Sequence, residues 1–341
     1  MSNKHLPHDL KQMQSLPLEA KIIMTQRRIR EWYEHWDGMV YVSFSGGKDS
    51  TVLKHIVDSM YDDVPSLFVN TGLEYPEIQK FAMSQKNVVT VRPEMRFDEV
   101  IKKYGYPVVS KAVSHAVGIA KRNPNGNVAK NMFNPENKGR FGFYKWEFLI
   151  DSSIPVGDNC CGVMKKAPSK KYAKETGRKP ILGTLAEESS LRYKSWLQHG
   201  CNAFDGKNPS SQPLSFWTNQ DILHYLKKYT VPYCSVYGDI VSQDADGNLY
   251  DVPEDYLDTF CSLGGKPDLK TTGCDRTGCI FCMFGCHLEK EPNRFQRLKQ
   301  THPRQYQYCI GGGEMVDGKW QPSKEGLGLG HVLDYIGVKY D

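Results

Sequence analysis

The sequence lacks any apolar run long enough to cross a lipid bilayer. Its first residues, 1–14, are polar and do not contain the apolar core of a signal peptide. We therefore expect an intracellular, cytoplasmic protein with no membrane partner. Disulfide frameworks are rare in that compartment, so the ten cysteines of the chain indicate metal or redox chemistry instead.

A strong charge of either sign is also missing. The formal net charge of +5 over 341 residues suits anionic ligands such as nucleotides, and it permits nucleic acid without requiring it. Neither an internal repeat nor a low-complexity segment is evident. Hydrophobic residues make up 39% of the chain and aromatic residues 11%, which is typical of a globular protein with a sizeable core. The length predicts one large domain or one domain with additions.

What the sequence does contain is a short apolar stretch that runs into two adjacent glycines. Residues 39–44 predict a buried strand, and a helix is predicted to begin at about Asp49. Adjacent glycines let backbone N–H groups face a ligand, and the helix N-terminus adds partial positive charge, so the turn predicts a phosphate-binding loop. The loop comprises Ser45, Gly46, Gly47, Lys48, Asp49 and Ser50.

This loop is not a Walker A motif, because the four-residue spacer between its glycines is missing. It resembles the Ser-Gly-Gly-x-Asp-Ser loop of the PP-loop nucleotide-binding families, which cleave or bind adenine nucleotides at the α-phosphate side. The alternative is a plain Gly-Gly turn between a strand and a helix.

Strands and helices alternate through the first half of the chain. Such alternation predicts an α/β fold, a doubly wound parallel sheet with helices on both faces. Ligands of such sheets bind beyond the carboxyl ends of the strands, where the Ser45–Ser50 loop and residues 70–74 both fall. The predicted strands are 39–44, 66–70, 88–91 and 180–185, and the predicted helices are 51–61, 76–85 and 219–229.

Three regions are predicted along the chain. Residues 1–37 form a helical N-terminal arm, residues 38–235 a PP-loop nucleotide-binding α/β domain, and residues 236–341 a cysteine-rich metal-binding and C-terminal region. Residues 110–146 are predicted to be an insertion. Its part 121–146 interleaves basic residues with aromatic rings, as surfaces for single-stranded DNA or RNA do. The alternative is a solvated loop that closes over the active site with its rings as anchors.

Further segments resemble the phosphoadenosine phosphosulfate reductase family, in the order which that family has, over roughly residues 39–285. Residues 70–77 resemble its Asp-Thr-Gly-x-x-x-Pro-Glu segment, and residues 183–192 resemble its Gly-x-x-x-x-Glu-Ser-x-x-Arg loop. The other matching segments are 160–168 (Cys-Cys-x-x-x-Lys-x-x-Pro), 213–222 (Pro-Leu-x-x-Trp-Thr-x-x-Asp-Ile), 231–237 and 278–282.

The resemblance implies a site for ATP or an adenosine phosphosulfate-type nucleotide, with Mg²⁺. It implies catalytic roles for Lys48, Asp49 and Arg192: Lys48 and Arg192 stabilise charge on the phosphates, and Asp49 helps to place Mg²⁺. The implied nucleotide-binding residues are Ser43, Ser45, Gly46, Gly47, Lys48, Asp49, Ser50, Thr71, Gly72, Glu74, Lys165, Gly183, Glu188, Ser189 and Arg192.

The cysteines predict a second kind of chemistry. Resemblance to the iron–sulfur branch of the family implies that Cys160, Cys161, Cys279 and Cys282 ligate a [4Fe–4S] cluster. The alternatives are a structural zinc site within residues 274–286, which would use Cys274 and Cys286 as well, or unligated thiols. We expect the remaining cysteines to be buried as small hydrophobic residues. They are Cys201, Cys234, Cys261 and Cys309.

The chain departs from the family near its C-terminus. Sulfonucleotide reductases end in a Glu-Cys-Gly-Leu/Ile-His segment whose cysteine attacks sulfur, whereas residues 325–331 read Glu-Gly-Leu-Gly-Leu-Gly-His. Cys309 is the last cysteine, and a structural role for it is favoured over a nucleophilic one. Residues 301–341 fall outside the resemblance.

Three functions follow from these observations. The first is ATP-dependent, adenylating sulfur transfer that releases pyrophosphate and needs a sulfur donor, with DNA or tRNA as acceptor through residues 121–146. The second is a true sulfonucleotide reductase that makes sulfite with a thioredoxin-like reductant. The third is a non-catalytic nucleotide-sensing accessory protein.

Overall fold

The computed structural model describes residues 4–206, 208–244, 246–252 and 268–341. Contacts divide the chain into two compact units. The first contains residues 1–70, 74–91 and 169–277, and the second contains residues 71–73, 92–168 and 278–341. This division into two units does not test the three regions predicted from the sequence, which therefore remain a prediction. No helix of the described residues is both long and apolar enough to traverse a membrane.

The first unit is built on a six-stranded sheet. Its strands are β1 (Val40–Ser43), β2 (Ser66–Val69), β3 (Val88–Val91), β4 (Lys179–Leu182), β5 (Asn202–Ala203) and β6 (Ser210–Ser211). Their order is β3-β2-β1-β4-β6-β5, and all pairings are parallel except that of β5 with β6. Because β2 and β3 lie on one side of β1 and β4 on the other, the strand order reverses beside β1. A doubly wound sheet binds its ligand at such a switch point.

Helices flank this sheet, as the alternating pattern predicted. They are α1 (Pro7–Gln14), α2 (Leu18–His35), α3 (Lys48–Asp58), α4 (Pro76–Ser84), α8 (Ala167–Thr176), α9 (Ser190–His199) and α10 (Asn219–Lys228). A second sheet of β7 (Ile240–Gln243), β8 (Leu249–Tyr250) and β9 (Leu269–Thr271) has the order β8-β7-β9. The predicted α/β fold with a parallel central sheet is confirmed. Helix α3 begins at Lys48, one residue before the start predicted at about Asp49 and three before the predicted helix 51–61.

The N-terminal helices belong to the core of the first unit. Leu18, Ile29 and Trp32 are buried in the same cluster as the sheet residues Val40 and Val42. Burying such side chains contributes roughly 1.5–3 kcal/mol each. The predicted helical arm is therefore packed against the sheet.

The second unit contains the remaining helices and one hairpin. The helices are α5 (Phe97–Tyr104), α6 (Lys111–Arg122), α7 (Asn127–Met132), α11 (Arg294–Thr301), α12 (Pro303–Ile310) and α13 (Leu329–Tyr335), and the hairpin is β10 (Glu314–Val316) with β11 (Lys319–Gln321). The predicted insertion at 110–146 therefore begins with a regular helix, α6. Ser110 caps α6 by accepting the N–H of Val113 at 3.2 Å.

Candidate nucleotide site and cysteine cluster

The turn after β1 has the backbone that the two glycines predicted. Gly46 has φ +72°, a conformation that strains other residues, and an added Cβ would come within 3.0 Å of the Ile78 side chain. The hydroxyl of Ser50 donates to the Gly47 carbonyl at 2.9 Å and lies 3.0 Å from the hydroxyl of Ser45. These bonds fix the loop before any ligand binds.

Lys48 and Asp49 are the first two residues of helix α3, which directly follows this turn. The ammonium of Lys48 donates to the carbonyl of Asp275 at 2.6 Å, and its backbone N–H donates to the hydroxyl of Tyr237 at 3.3 Å. Burial lowers the pKa of Lys48, against the opposing effect of the Asp49 charge. Burial also raises the pKa of Asp49. The Oδ1 atom of Asp49 has no hydrogen-bond partner among the described residues, so this carboxylate has a free ligand position that suits Mg²⁺.

The end of β4 lies against this loop. A Cβ at Gly183 would come within 3.0 Å of the Asp49 carbonyl oxygen and 3.2 Å of the Ser50 Cα. Such a contact is tighter than ordinary van der Waals contact, so the absence of a side chain at position 183 lets the loop after β4 lie close to the first turn of α3. The sheet order places them side by side, because β1 and β4 are neighbours.

One carboxylate holds two arginines at this edge of the sheet. Glu188 forms ion pairs with both Arg192 and Arg276. Glu188 also accepts the backbone N–H of Leu185 at 3.1 Å, and Ser189 caps α9 by accepting the N–H of Arg192 at 3.3 Å. The ion pairs therefore collect two guanidinium groups in one place.

Two cavities adjoin the loop within the first unit. The smaller, of about 240 Å³, is lined by Ser45, Gly47, Lys48, Asp49, Ser50, Gly183, Glu188, Arg192, Tyr237, Arg276 and Thr277. The larger, of about 430 Å³, shares Lys48, Asp49, Glu188 and Arg276 and adds the apolar side chains of Leu185, Leu223 and Leu269. Most side chains that line the two cavities are polar or charged, which suits a charged ligand.

Most of the predicted phosphate-site residues of the first unit are thus brought together, and some are not. Ser43 ends β1, and Ser43, Gly46, Glu74 and Ser189 do not line the smaller cavity. Sequence reasoning did not assign Arg276 and Thr277 to the site, nor did it give Tyr237 a ligand role. Arg276 follows Cys274 by two residues, and that segment was interpreted only through its cysteine spacing.

Thr71 and Gly72 belong to the second unit. The hydroxyl of Thr71 accepts the N–H of Leu73 at 3.1 Å, and the carbonyl of Leu73 accepts the N–H of Ile280 at 2.8 Å. Residues 71–73 are therefore hydrogen-bonded to the residue that directly follows Cys279.

The paired cysteines of the second unit are joined by a weak hydrogen bond. Cys160 and Cys161 have sulfurs 3.9 Å apart, just before a π-helical turn at Gly162–Lys166. The hydrogen bond from Cys160, aided by the charges of Lys111 and Lys165, lowers the pKa of Cys161 to about 6. The same hydrogen bond, together with burial, raises the pKa of Cys160. Thiolates are the form that binds metal.

Cys279 and Cys282 lie close enough to Cys160 that their charges add to its pKa shift. The carbonyl of Cys282 accepts from Arg294 at 2.9 Å, so the Cys-x-x-Cys turn is held by α11. In the described part of the chain, no three His, Cys, Asp or Glu side chains are grouped so as to hold one metal ion.

Four of the other described cysteines are buried. Cys201, Cys234 and Cys309 are buried, as predicted, whereas Cys261 lies outside the described residues. Cys286 is also buried, and its thiol donates to the carbonyl of Met283 at 3.0 Å.

The basic and aromatic segment 121–146 presents some of its rings to solvent. Phe141 is 55% exposed and Tyr144 is 41% exposed, whereas Phe133 is buried. The guanidinium of Arg140 lies over the Phe141 ring, 6.0 Å from its centroid. Rings and cations are thus combined at the surface, although Lys121 donates to the carbonyls of Ile150 and Ser152 instead.

A parallel strand that ends in a Gly-Gly turn, beside a cationic cavity at the switch point, defines an α/β protein of the nucleotide-binding class. The model of the phosphoadenosine phosphosulfate reductase domain matches residues 39–110 and 83–283. The chain belongs to this family.

Individual proteins are similar to a lesser degree. The uncharacterized protein MJ0973 of Methanocaldococcus jannaschii is 31% identical over 293 residues, 84% of this chain and 50% of that protein. The chain spans about half the length of the curated relatives it matches, or less. Among solved structures, the phosphoadenylyl-sulfate reductase of Candida auris in its phosphate complex has 14% identity and a TM-score of 0.37, covering 69% of this chain and 92% of that one.

A second solved structure is the U34-tRNA thiolase NcsA of Methanococcus maripaludis with its [4Fe-4S] cluster. It has 15% identity and a TM-score of 0.32, covering 72% of this chain and 75% of that one. At these scores both likenesses are weak.

Proposed function

We propose that the protein is an enzyme that binds ATP and catalyses adenylating sulfur transfer with release of pyrophosphate. The observation that carries this proposal is the cavity at the end of β1. It combines a phosphate-binding turn, the cations Lys48 and Arg192, and the buried carboxylate of Asp49, whose Oδ1 has no partner among the described residues. Such a cavity suits a polyphosphate with a divalent cation.

The chemistry follows from these positions. A substrate oxygen attacks the α-phosphorus of ATP, and the bond from that phosphorus to pyrophosphate breaks. Lys48 and Arg192 stabilise the negative charge that develops on the leaving pyrophosphate. Asp49 would hold Mg²⁺ at its free Oδ1 position. A sulfur donor then forms a bond to the adenylated acceptor, whose bond to the AMP oxygen breaks.

We further propose that the protein binds a [4Fe–4S] cluster through its second unit. The four thiols Cys160, Cys161, Cys279 and Cys282 belong to one compact unit, and the lysines beside Cys161 favour its thiolate. We propose these four as the ligands, with a structural zinc as the alternative. A bound cluster would supply an iron–sulfur centre for electron or sulfur chemistry. The hydrogen bond from Cys160 and the charges of Lys111 and Lys165 would favour the Cys161 thiolate. The nucleotide-binding role that the resemblance implies for Lys165 stays a prediction.

A true sulfonucleotide reductase is the second candidate, and it requires a thiol that can attack sulfur. Cys309 is completely buried, and burial raises its pKa well above the usual range of a thiol. Cys309 therefore does not suit the role of a nucleophile, which favours sulfur transfer. A nucleotide-sensing accessory protein, the third candidate, would bind ATP without turnover.

The acceptor in this proposal is a nucleic acid, DNA or tRNA, held by residues 121–146. This segment has six Lys or Arg residues and one Glu, so its net charge of +5 equals the formal net charge of the whole chain. Exposed rings such as Phe141 suit base stacking.

The deciding experiment uses anaerobically purified protein, incubated separately with ATP–Mg²⁺ and with adenosine phosphosulfate or its 3′-phosphorylated form plus thioredoxin. Pyrophosphate and sulfite are both measured. Release of pyrophosphate, stimulated by DNA or tRNA, is the expected result. Release of sulfite would instead establish the reductase, and ATP binding with neither product would favour the accessory protein.

A further inference from the structure

Arg276 lines the phosphate cavity together with residues of the Ser45–Ser50 loop, and no motif of the sequence assigned it to the site. It lines both cavities, and its side chain is 59% exposed. Its guanidinium pairs with Glu188, which also pairs with Arg192. A guanidinium grips a carboxylate and a phosphate through the same forked pair of N–H groups.

Two arginines on one carboxylate leave an excess of positive charge at this wall. With Lys48 and Asp49 included, the five charged side chains that line the cavity, three cations and two carboxylates, have a net charge of +1. Arg276 is near enough to Lys48 that its charge contributes to lowering the pKa of that lysine. An anion that enters the cavity would relieve this repulsion.

The chain segment that bears Arg276 is tied directly to the loop. The carbonyl of Asp275 accepts from the Lys48 ammonium at 2.6 Å, and the hydroxyl of Thr277 lies 2.7 Å from that of Tyr237. Tyr237 in turn accepts the backbone N–H of Lys48 at 3.3 Å. Arg276 is thus held between two anchors that are both connected to the first residue of α3.

We infer that Arg276 is a phosphate-binding residue of this site and that it grips the pyrophosphate part of the nucleotide. Glu188 holds Arg276 and Arg192 together while the cavity is empty, and the phosphate oxygens take over these guanidinium bonds when the nucleotide enters. The ligand class is a nucleoside triphosphate or free pyrophosphate. This inference rests on the proposed function for its assignment to ATP.

A purely structural role makes a different prediction. The Arg276 side chain is 59% exposed and Glu188 keeps its second pair with Arg192, so loss of the Arg276–Glu188 pair alone would change stability little. A phosphate-binding role predicts a loss of affinity that depends on how many phosphates the ligand has.

The test is equilibrium binding of ATP, AMP and inorganic pyrophosphate to the full chain and its variants. Losing a charge-assisted hydrogen-bond pair weakens binding roughly 10- to 100-fold. We expect this loss for Arg276→Ala with ATP and pyrophosphate, and a change of no more than about twofold with AMP. Arg276→Lys should restore part of the affinity, because lysine keeps the positive charge but lacks the paired N–H donors of a guanidinium.

Arg27→Ala is the matched control. Arg27 is an exposed arginine paired with Glu31 on α2, 3.2 Å away and outside both cavities. Its removal should leave all three affinities unchanged, and melting temperatures of both alanine variants check that the fold is intact.

Four outcomes would overturn the inference or separate it from the proposed function. Unchanged ATP and pyrophosphate affinity in Arg276→Ala overturns it, and an equal loss for AMP overturns its assignment to pyrophosphate. If the unsubstituted protein binds pyrophosphate but not ATP, the proposed function fails, and the pyrophosphate measurement alone decides the role of Arg276. If it binds none of the three ligands, both fail.

Discussion

Gly183 lies so close to Asp49 that a Cβ at position 183 would come within 3.0 Å of the Asp49 carbonyl oxygen. The two residues follow neighbouring parallel strands, and the contact sets the spacing of the phosphate-binding turn from the β4 loop. The atoms that a Cβ would meet are backbone atoms of α3, which cannot move aside as a flexible side chain could.

Substitution of Gly183 by alanine should therefore displace the loop. We expect a loss of nucleotide affinity of about tenfold or more, and destabilisation of about 1–3 kcal/mol from overpacking. Binding of ATP and urea unfolding measure the two effects. Gly162→Ala is the control, since a Cβ there meets nothing within 4 Å. An ATP affinity in Gly183→Ala equal to that of the unsubstituted protein would disprove the importance of this contact.

The lysine of the loop allows a direct test of the nucleotide site. Lys48→Ala removes the ammonium that lines both cavities and donates to the Asp275 carbonyl. We expect loss of nucleotide binding with the fold intact, because the phosphates lose a charge-assisted bond. Calorimetric titration with ATP measures the affinity, and circular dichroism checks the fold. Lys80→Ala, an exposed lysine on α4, should bind ATP normally; a normal affinity in Lys48→Ala would remove the loop from the mechanism.

Local patterns were sufficient to predict the parallel sheet and its phosphate-binding turn. The glycines, the strand that precedes them and the helix that follows are contiguous, so sequence spacing determines their arrangement. Arg276 could not be found in this way, because its contact with Glu188 joins segments that are distant in sequence and depends on the tertiary fold. Helix α6 could have been predicted from the Ser110 cap and the spacing of Val113, Ala116 and Val117, but the many polar residues further along the segment obscured it.

A buried ion pair connects the N-terminal helices to α10. The ammonium of Lys21 lies 2.6 Å from the Asp221 carboxylate, and the two side chains are 0% and 2% exposed. Lys21→Met leaves this carboxylate without its cation, and breaking such a pair costs about 3–5 kcal/mol. Urea unfolding should show this loss, whereas Lys11→Met, at an exposed position of α1, should unfold like the unsubstituted protein.

The same pair gives the stability a pH dependence. Burial alone would raise the pKa of Asp221, but hydrogen bonds from Lys21 and Thr218 outweigh it, so the pKa is lowered in the folded state. The stabilisation is therefore complete above about pH 3.9, the pKa of an unfolded aspartate, and is lost as the pH falls through the lower folded pKa. Asp221→Asn should lose stability less steeply in this acidic range; an equal slope in urea unfolding at several pH values would contradict the assignment.

The proposed cluster predicts the behaviour of its ligands. Cys282→Ser removes one thiolate, so we expect anaerobically purified protein to lose its brown colour and most of its iron. Iron and zinc contents are measured together, because zinc in the unsubstituted protein would establish the structural-zinc alternative. Cys309→Ala is the control. Cys309 is buried at the end of α12 and is not a proposed ligand, so its substitution should leave the iron content unchanged. Iron that persists in Cys282→Ser would place the cluster on other residues.

The exposed ring of Phe141 separates the two interpretations of residues 121–146. If the segment stacks on bases, Phe141→Ala should weaken binding of a single-stranded oligonucleotide by about 1–3 kcal/mol, roughly 5- to 150-fold. If the segment instead closes over the active site, the same variant should weaken ATP binding and leave oligonucleotide affinity unchanged. Fluorescence anisotropy at several salt concentrations measures the first effect, since phosphate contacts give a strong salt dependence. Glu136→Ala is the control at an exposed, ring-free position of the segment, and the buried Phe133 is avoided because its truncation would destabilise the core.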